Sequence, residues 1–396
     1  AQASDKELAH IAKMVQQSVE EGAVGFSTSR FLLHTVPDGR CTPGTWADLR
    51  ETKTIQEAVI AGGGIGAVFQ SANDMQTRYE TELQMFRDGT ELGCQVLFSG
   101  GTGAEGDGGV GRWSEFFEQQ NEGGKRLASI CHTRPSGAFF GLAQLSPFTR
   151  NSKAWKDLMA LPSIEDRVNA LRNETTRAKL IAEGIEAGDM KNLAHMLHPF
   201  GIDSKPNLDF ARQQSLLQLA EAEGKDPVEV YVERLLASEG REFFNFWMFG
   251  GNLDNQWKYM QLPHVVPMLG DAGAHVGFFT DTDSPTVLLS ELTREQGVYS
   301  LPEAVHRITG KSAAIIGLKE RGELREGWHA DINVIDYENL STCHPEYVND
   351  FPHGGGRFVV KGKGYDATIV GGKVIIKNGK HTGHRPGRVI REFVRG

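Results

Sequence analysis

The stretch Gly270-Asp271-Ala272-Gly273-Ala274-His275 sets one carboxylate and one imidazole in a glycine-rich turn directly after the apolar run Val265 to Leu269. Such a run reads as a buried strand, and parallel α/β folds put their chemistry at the C-terminal ends of their strands. An Asp delivered there can bind a metal, take a proton from water, or do both, and His275 is placed to orient a scissile carbonyl or the Asp itself. Asp before Gly also suits an ordinary turn, and a hydrogen bond that braces the loop is the competing role for His275.

Other polar residues close apolar runs. Ser27, Ser29 and Arg30 follow the first one, and Arg30 has the planar fork that grips a substrate carboxylate, or simply a neighbouring acid. Gln70 could hydrogen-bond an amide. His132 and Arg134 suit polarising a carbonyl or binding a carboxylate, although Arg134-Pro135 is equally compatible with architecture. His34 reads as a surface histidine in a loop near the Ser27 mouth. Phe244, Phe246, Trp247, Phe249, Phe278 and Phe279 concentrate near the Asp271 turn, most as core and a few as walls of an apolar acyl or aryl pocket. His195 and His198 stand at i, i+3 in a helical stretch, a spacing that alone does not make them ligands. No G-x-S-x-G elbow is present, and Cys131 has only the adjacent His132, whose side chain would point the other way along a strand.

The elements that must position these groups alternate. Ser4 with Glu7 has capping-box spacing, and Leu8, Ile11, Ala12, Val15 and Val19 recur on one helical face until Gly22. A strand over 23–27, a helix around 46–61, a strand over 65–69, a helix around 75–92, a strand over 95–98 and an apolar run over 127–131 follow. Short apolar runs closed by polar or glycine residues and separated by helices predict parallel strands buried on both faces. Residues from about 144 to 240 depart from this beat as an inserted helical cap, with helices at 166–183 and 212–223. A strand at 243–248, a helix through Trp257, the 265–269 strand, and helices at 285–293 and 302–309 complete this part. From Gly322 the texture becomes short β segments (331–335, 357–360, 367–370 and 373–377), and Asn378-Gly379 is a hairpin turn signal.

The chain has 396 residues, of which 39% are hydrophobic and 23% charged, as in an ordinary soluble globular protein. A formal net charge of -9 excludes a general nucleic-acid or anionic-membrane surface; Arg385, Arg388, Arg391 and Arg395 read as a solvated face. The four cysteines, Cys41, Cys94, Cys131 and Cys343, form no C-x-x-C pair, which argues against a disulfide framework or a self-contained structural zinc site. An amphipathic opening helix, with neither an export signal nor a membrane-length apolar run, predicts a cytoplasmic protein.

Gly25-Phe26-Ser27-Thr28-Ser29, the Gly270 to His275 turn, Gly322-Glu323-Leu324 running through Gly327 to Ala330-Asp331-Ile332-Asn333-Val334-Ile335-Asp336, and Thr368-Ile369-Val370-Gly371-Gly372-Lys373-Val374 together resemble the D-aminoacylase branch of the metal-dependent amidohydrolase superfamily. The resemblance spans nearly the whole chain and is weaker in the helical insertion. It implies a (β/α)8 TIM-type barrel of which about the last five strands are present, over residues 1–318, and a small β-sandwich portion over 319–396. It also implies hydrolysis of a small-molecule amide or related C–N bond at one or two zinc ions, with Asp271 as metal ligand and general base and His275 beside it. Ser27, Ser29, Arg30, Gln70, His132 and Arg134 are then the substrate-facing candidates.

The sequence departs from the family pattern in two ways. No His-x-His pair occurs anywhere, nor the Cys that this branch carries at the end of the second barrel strand. Where the family has a metal-binding His on the fifth and sixth strands, this chain has Gln70 and Ser99-Gly100-Gly101. Gln is a poor zinc ligand and Gly has no side chain, so one metal fits better than two, with His132 as a substitute ligand. An open part-barrel exposes two strand edges. The expectation is therefore a companion polypeptide that carries the metal-binding first strands, as a separate subunit or the other product of precursor cleavage; a shortened sequence is the duller explanation. The rival to catalysis is a metal-free barrel subunit serving as a binding or scaffold partner.

Overall fold

The computed structural model describes residues 2–36, 38–103, 106–201, 206–209, 212–270 and 273–395. The first helix, α1 (Asp5–Glu20), starts where Ser4 and Glu7 exchange side-chain and backbone hydrogen bonds, and buries Leu8, Val15 and Val19. It leads into β1 (Gly25–Ser29), then α2 (Leu49–Gly63) with Asp48 as its cap, β2 (Val68–Ala72), α3 (Tyr79–Glu91), β3 (Gln95–Ser99), α4 (Val110–Asn121) and β4 (Arg126–His132). After an excursion through residues 139–261 the chain returns as β8 (Val265–Leu269).

Among the described residues these strands form a five-stranded sheet in the order β1-β2-β3-β4-β8, every neighbouring pair parallel. Side chains alternate between its two faces. Phe69, Val96, Phe98, Leu127, Cys131 and Val265 pack with the helices into the largest core, whereas Val68, Leu97 and Ala128 form a small cluster on the opposite face. The central strands are well buried; β1, at one edge, is half-exposed along its length. Close packing of β1 on β2 requires glycine at position 25, where an added Cβ would lie 1.8 Å from the Val68 carbonyl oxygen.

The strand expected over 65–69 lies three residues later. Gly64 and Gly66 take positive φ (76° and 86°) and turn the chain around an exposed Ile65, so pairing begins at Val68 and Gln70 falls inside the strand. The excursion contains β5 (Phe139–Phe140), β6 (Leu197–Pro199) and β7 (Phe244–Phe246), which form an antiparallel sheet in the order β5-β7-β6. His198 is thus on a strand, not on a helix as the spacing suggested. Helices Lys153–Met159, Ile164–Arg172, Glu174–Ala187, Leu216–Glu223 and Pro227–Ala237 build a separate core around Phe148, Trp155, Leu180, Tyr231 and Phe244. The helix expected over 166–183 is broken at Asn173, which caps the second of two helices.

Beyond Leu301–Ile308 and Gly310–Ile315 the chain is mostly β. Ile332–Ile335, Tyr365–Val370, Lys373–Lys377 and Lys380–His381 form an antiparallel sheet, with the Asn378-Gly379 turn in left-handed backbone (φ 48° and 72°). No helix among the described residues is long and apolar enough to cross a membrane.

Candidate active site

Every strand of the parallel sheet directs its C-terminal end to one rim, and the candidate residues gather there. On β1, Ser27 donates to Gln70 Oε1 on the neighbouring strand. Ser29 Oγ lies 2.6 Å from His34 Nδ1, which draws the following loop over the strand end. Across the rim the His34 ring meets that of His275, with centroids 5.6 Å apart. The loops leaving the two edge strands of the sheet therefore touch.

Arg30 takes a different direction. Its guanidinium is 1% exposed and faces α3, where Nε lies 2.8 and 3.0 Å from the two carboxylate oxygens of Glu82, and Nη1 donates to Ala47 O at 2.7 Å. Burial pushes the Glu82 carboxyl above its ordinary value, and Arg30 pulls it back. Arg78 extends the strut, donating to the carbonyls of Thr45 and Arg30 at 2.6 Å each. A carboxylate does meet the Arg30 fork, and it belongs to the protein.

At the end of β4, His132 is buried and its ring stacks on Phe249 (5.3 Å, 10°), while Gln256 donates to its backbone carbonyl at 2.7 Å. His132 Nδ1 lies 3.8 Å from Asp281 Oδ2. Arg134, 2% exposed, sits between two acids of the loop that follows β8, with Nη2 3.0 Å from Asp281 Oδ1 and 3.2 Å from Asp283 Oδ1. Ser136 donates to Asp281, and Thr342 donates to Asp283 Oδ2 at 3.1 Å. Burial works against the Arg134 charge, but Asp283 and Asp281 hold its pKa above the ordinary value. Burial raises Asp283, against the pull of Arg134. Two acids facing one Arg form a buried polar knot that ties β4 to the loop after β8.

That loop folds back closely on the strand end: a Cβ at Gly270 would lie 2.7 Å from Asp281 O, so glycine is needed there. Asp271 and Ala272 lie outside the described residues. His275 adopts left-handed backbone (φ 55°), and its carbonyl accepts from both Phe278 N and Phe279 N at 2.9 Å. Phe139 N donates to Phe278 O and Phe358 N to Val276 O, each at 2.8 Å, which anchors the loop at two further points.

The rim thus unites Ser29, His132 and His275, and it adds residues the sequence reading missed. His34 reads from sequence as a surface histidine, yet it pairs with Ser29 at the strand end. Asp281 and Asp283 carry no local sequence signal, and the clue to them is that a charged Arg134 next to a buried strand end needs acids somewhere. Phe244 and Trp247 belong to buried cores, as expected for most of the aromatic concentration. His198 stacks on Trp247 at 3.6 Å. No three His, Cys, Asp or Glu among the described residues are arranged to hold a metal ion. His132 ends a strand of the parallel sheet, and the described residues do not by themselves make a zinc site.

Solved structures share this fold. The crystal structure of a D-aminoacylase aligns over 99% of this chain and 67% of its own, with a TM-score of 0.58 and 19% identity. The zinc- and phosphonate-bound N-acyl-D-glutamate deacylase of Bordetella bronchiseptica aligns over 99% of this chain and 68% of its own, with a TM-score of 0.56 and 19% identity. At these identities the likeness shows the fold, that of the D-aminoacylase barrels. N-acyl-D-aspartate deacylase of Alcaligenes xylosoxydans xylosoxydans is 38% identical over 106 residues, which is 26% of this chain and 19% of that protein. Residues 61–376, well over half of the sequence, match the amidohydrolase family, and the chain belongs to that family.

Proposed function

We propose that this chain forms the active-site rim of a hydrolase that cleaves a non-peptide C–N bond, in an amide of the N-acyl-D-amino-acid type. The observation that carries the reading is the contact of Ser29 with His34 and of His34 with His275, between loops that leave the two edge strands of the sheet, in a chain of amidohydrolase sequence and fold. In this reading Asp271 accepts a proton from the attacking water and returns it to the departing nitrogen. His275 orients the carbonyl; Ser27, Ser29, Gln70 and His132 face the substrate. Arg30 and Arg134 act by holding the loops, since their guanidinium groups are occupied by Glu82 and by Asp281 and Asp283.

Asp271 is also the proposed zinc ligand. The described residues do not by themselves complete a metal cage. The remaining donors are proposed to come from strands that pair along the open edges of β1 and β8, carried by a companion polypeptide in a cytoplasmic assembly.

The test is to purify the native protein with zinc present and assay release of free amine from N-acyl-D-amino acids, their L-enantiomers, carbamates, ureas and cyclic amides. Turnover of the D-acylated substrates above the L-forms is expected. Absence of hydrolysis across the whole panel overturns the reading.

A further inference from the structure

Large aromatic side chains in this protein are mostly buried outright; Phe69, Phe86, Phe98, Phe117, Phe139, Phe148, Phe200 and Phe244 are all below 2% exposed. Phe31, Phe249, Phe278 and Phe279 are different: all four are only half-buried, and none belongs to a hydrophobic core cluster. They pack instead on one another and on the rim histidines. The His132 ring stacks on Phe249 at 5.3 Å, Phe249 meets Phe31 at 6.2 Å, and Phe31 meets His34 edge-on at 5.2 Å. His34 meets His275 at 5.6 Å, and His275 contacts Phe278 and Phe279 at 5.3 and 5.4 Å. Four separate chain segments thus supply one unbroken row of rings across the mouth of the sheet.

Apolar rings held at a polar rim leave hydrophobic surface in water, which is unfavourable until something covers it, and such patches beside polar groups mark binding sites. An aliphatic occupant would recover the area alone. An aromatic one would also satisfy the edge-to-face and offset-stacked preferences that the row already displays. We propose that this row is an aryl subsite and that the amide hydrolysed here carries an aromatic group. The inference rests on the reading of the rim as an amide hydrolase site. The aryl group could be attached to the acyl carbon or to the amine half, and the ring row serves either.

Two arms test it. In the kinetic arm, kcat/KM is measured for N-benzoyl-D-alanine (aryl on the acyl half), N-acetyl-D-phenylalanine (aryl on the amine half) and N-acetyl-D-alanine (neither). At least one aryl substrate should exceed the last by about tenfold or more, and Phe249→Ala and Phe31→Ala should collapse that ratio toward one. Phe31→Leu, which keeps apolar volume without a ring, guards against a folding defect. In the binding arm, calorimetric titration of the zinc-loaded protein with benzoate, phenethylamine and acetate needs no turnover. Tighter binding of an aryl probe than of acetate, weakened at least fivefold in Phe249→Ala, is expected. Hydrolysis of all three substrates at equal kcat/KM overturns the aryl subsite and leaves the amide hydrolase reading standing. Aryl binding without any turnover upholds the subsite and removes that reading. Failure of every aryl probe to bind better than acetate overturns the subsite.

Discussion

Replacing Glu82 by Gln removes the countercharge of Arg30 while keeping size and shape. Both groups are at most 1% exposed, the carboxylate takes Arg30 Nε at 2.8 and 3.0 Å, and Ala47 O is the other acceptor of that guanidinium. A Gln amide can accept one of these bonds but cannot neutralise the cation, and leaving a buried charge without its partner costs about 3–5 kcal/mol. Because the strut joins the end of β1, the 45–47 turn and α3, the loss should appear as global destabilisation. Urea unfolding followed by tryptophan fluorescence should show a lower midpoint at unchanged slope. The double variant Arg30→Met with Glu82→Leu, apolar on both sides, should recover to within about 1 kcal/mol of wild type. If Glu82→Gln instead costs less than about 1 kcal/mol and raises KM for an acidic substrate, Arg30 is a substrate clamp and the strut argument is wrong.

Two further outcomes follow from buried rings. Burial pushes the His198 imidazole down to about 4, the Met196 carbonyl working against the fall and His195 adding to it. The unfolded chain then binds the proton first, so stability is complete above pH 6.5 and declines as pH drops toward 4, by about 1.4 kcal/mol per unit. His198→Phe, which keeps a ring on Trp247, should flatten that decline in a pH series of unfolding curves; an unchanged slope would assign the effect elsewhere. Phe98 is fully buried and stacked on Phe86 at 4.6 Å and near Trp113 at 5.1 Å, so Phe98→Ala should lower stability by about 4 kcal/mol. A loss under 1 kcal/mol in the same unfolding assay would mean that this core collapses around the deletion.

Features decided locally were legible in the sequence. The Ser4–Glu7 cap, the β3 and β8 runs and the Asn378-Gly379 hairpin each depend on residues within a few positions of one another. Residues decided by partners far along the chain were not. Arg30 meets an acid 52 residues away, and Arg134 meets Asp283 across 149 residues, so neither pairing leaves a local pattern. Ile65 is apolar and exposed, and the strand position is set by hydrogen-bond register with β1 and β3, which moved Gln70 inward. His198 shares helical spacing with His195, but antiparallel pairing with β7 makes its segment a strand. The aromatic concentration near position 271 marks Phe249, Phe278 and Phe279 as candidate pocket walls from sequence, but not Phe31, which is 6.2 Å from Phe249 in space and far from it in sequence.

The most direct test of the account is the turnover of Asp271→Asn on the best amide substrate of the wild type, with a circular-dichroism spectrum to verify the fold. A base that moves the proton from water to the leaving nitrogen predicts a kcat lower by between about a hundredfold and ten-thousandfold. A kcat within threefold of wild type would contradict it.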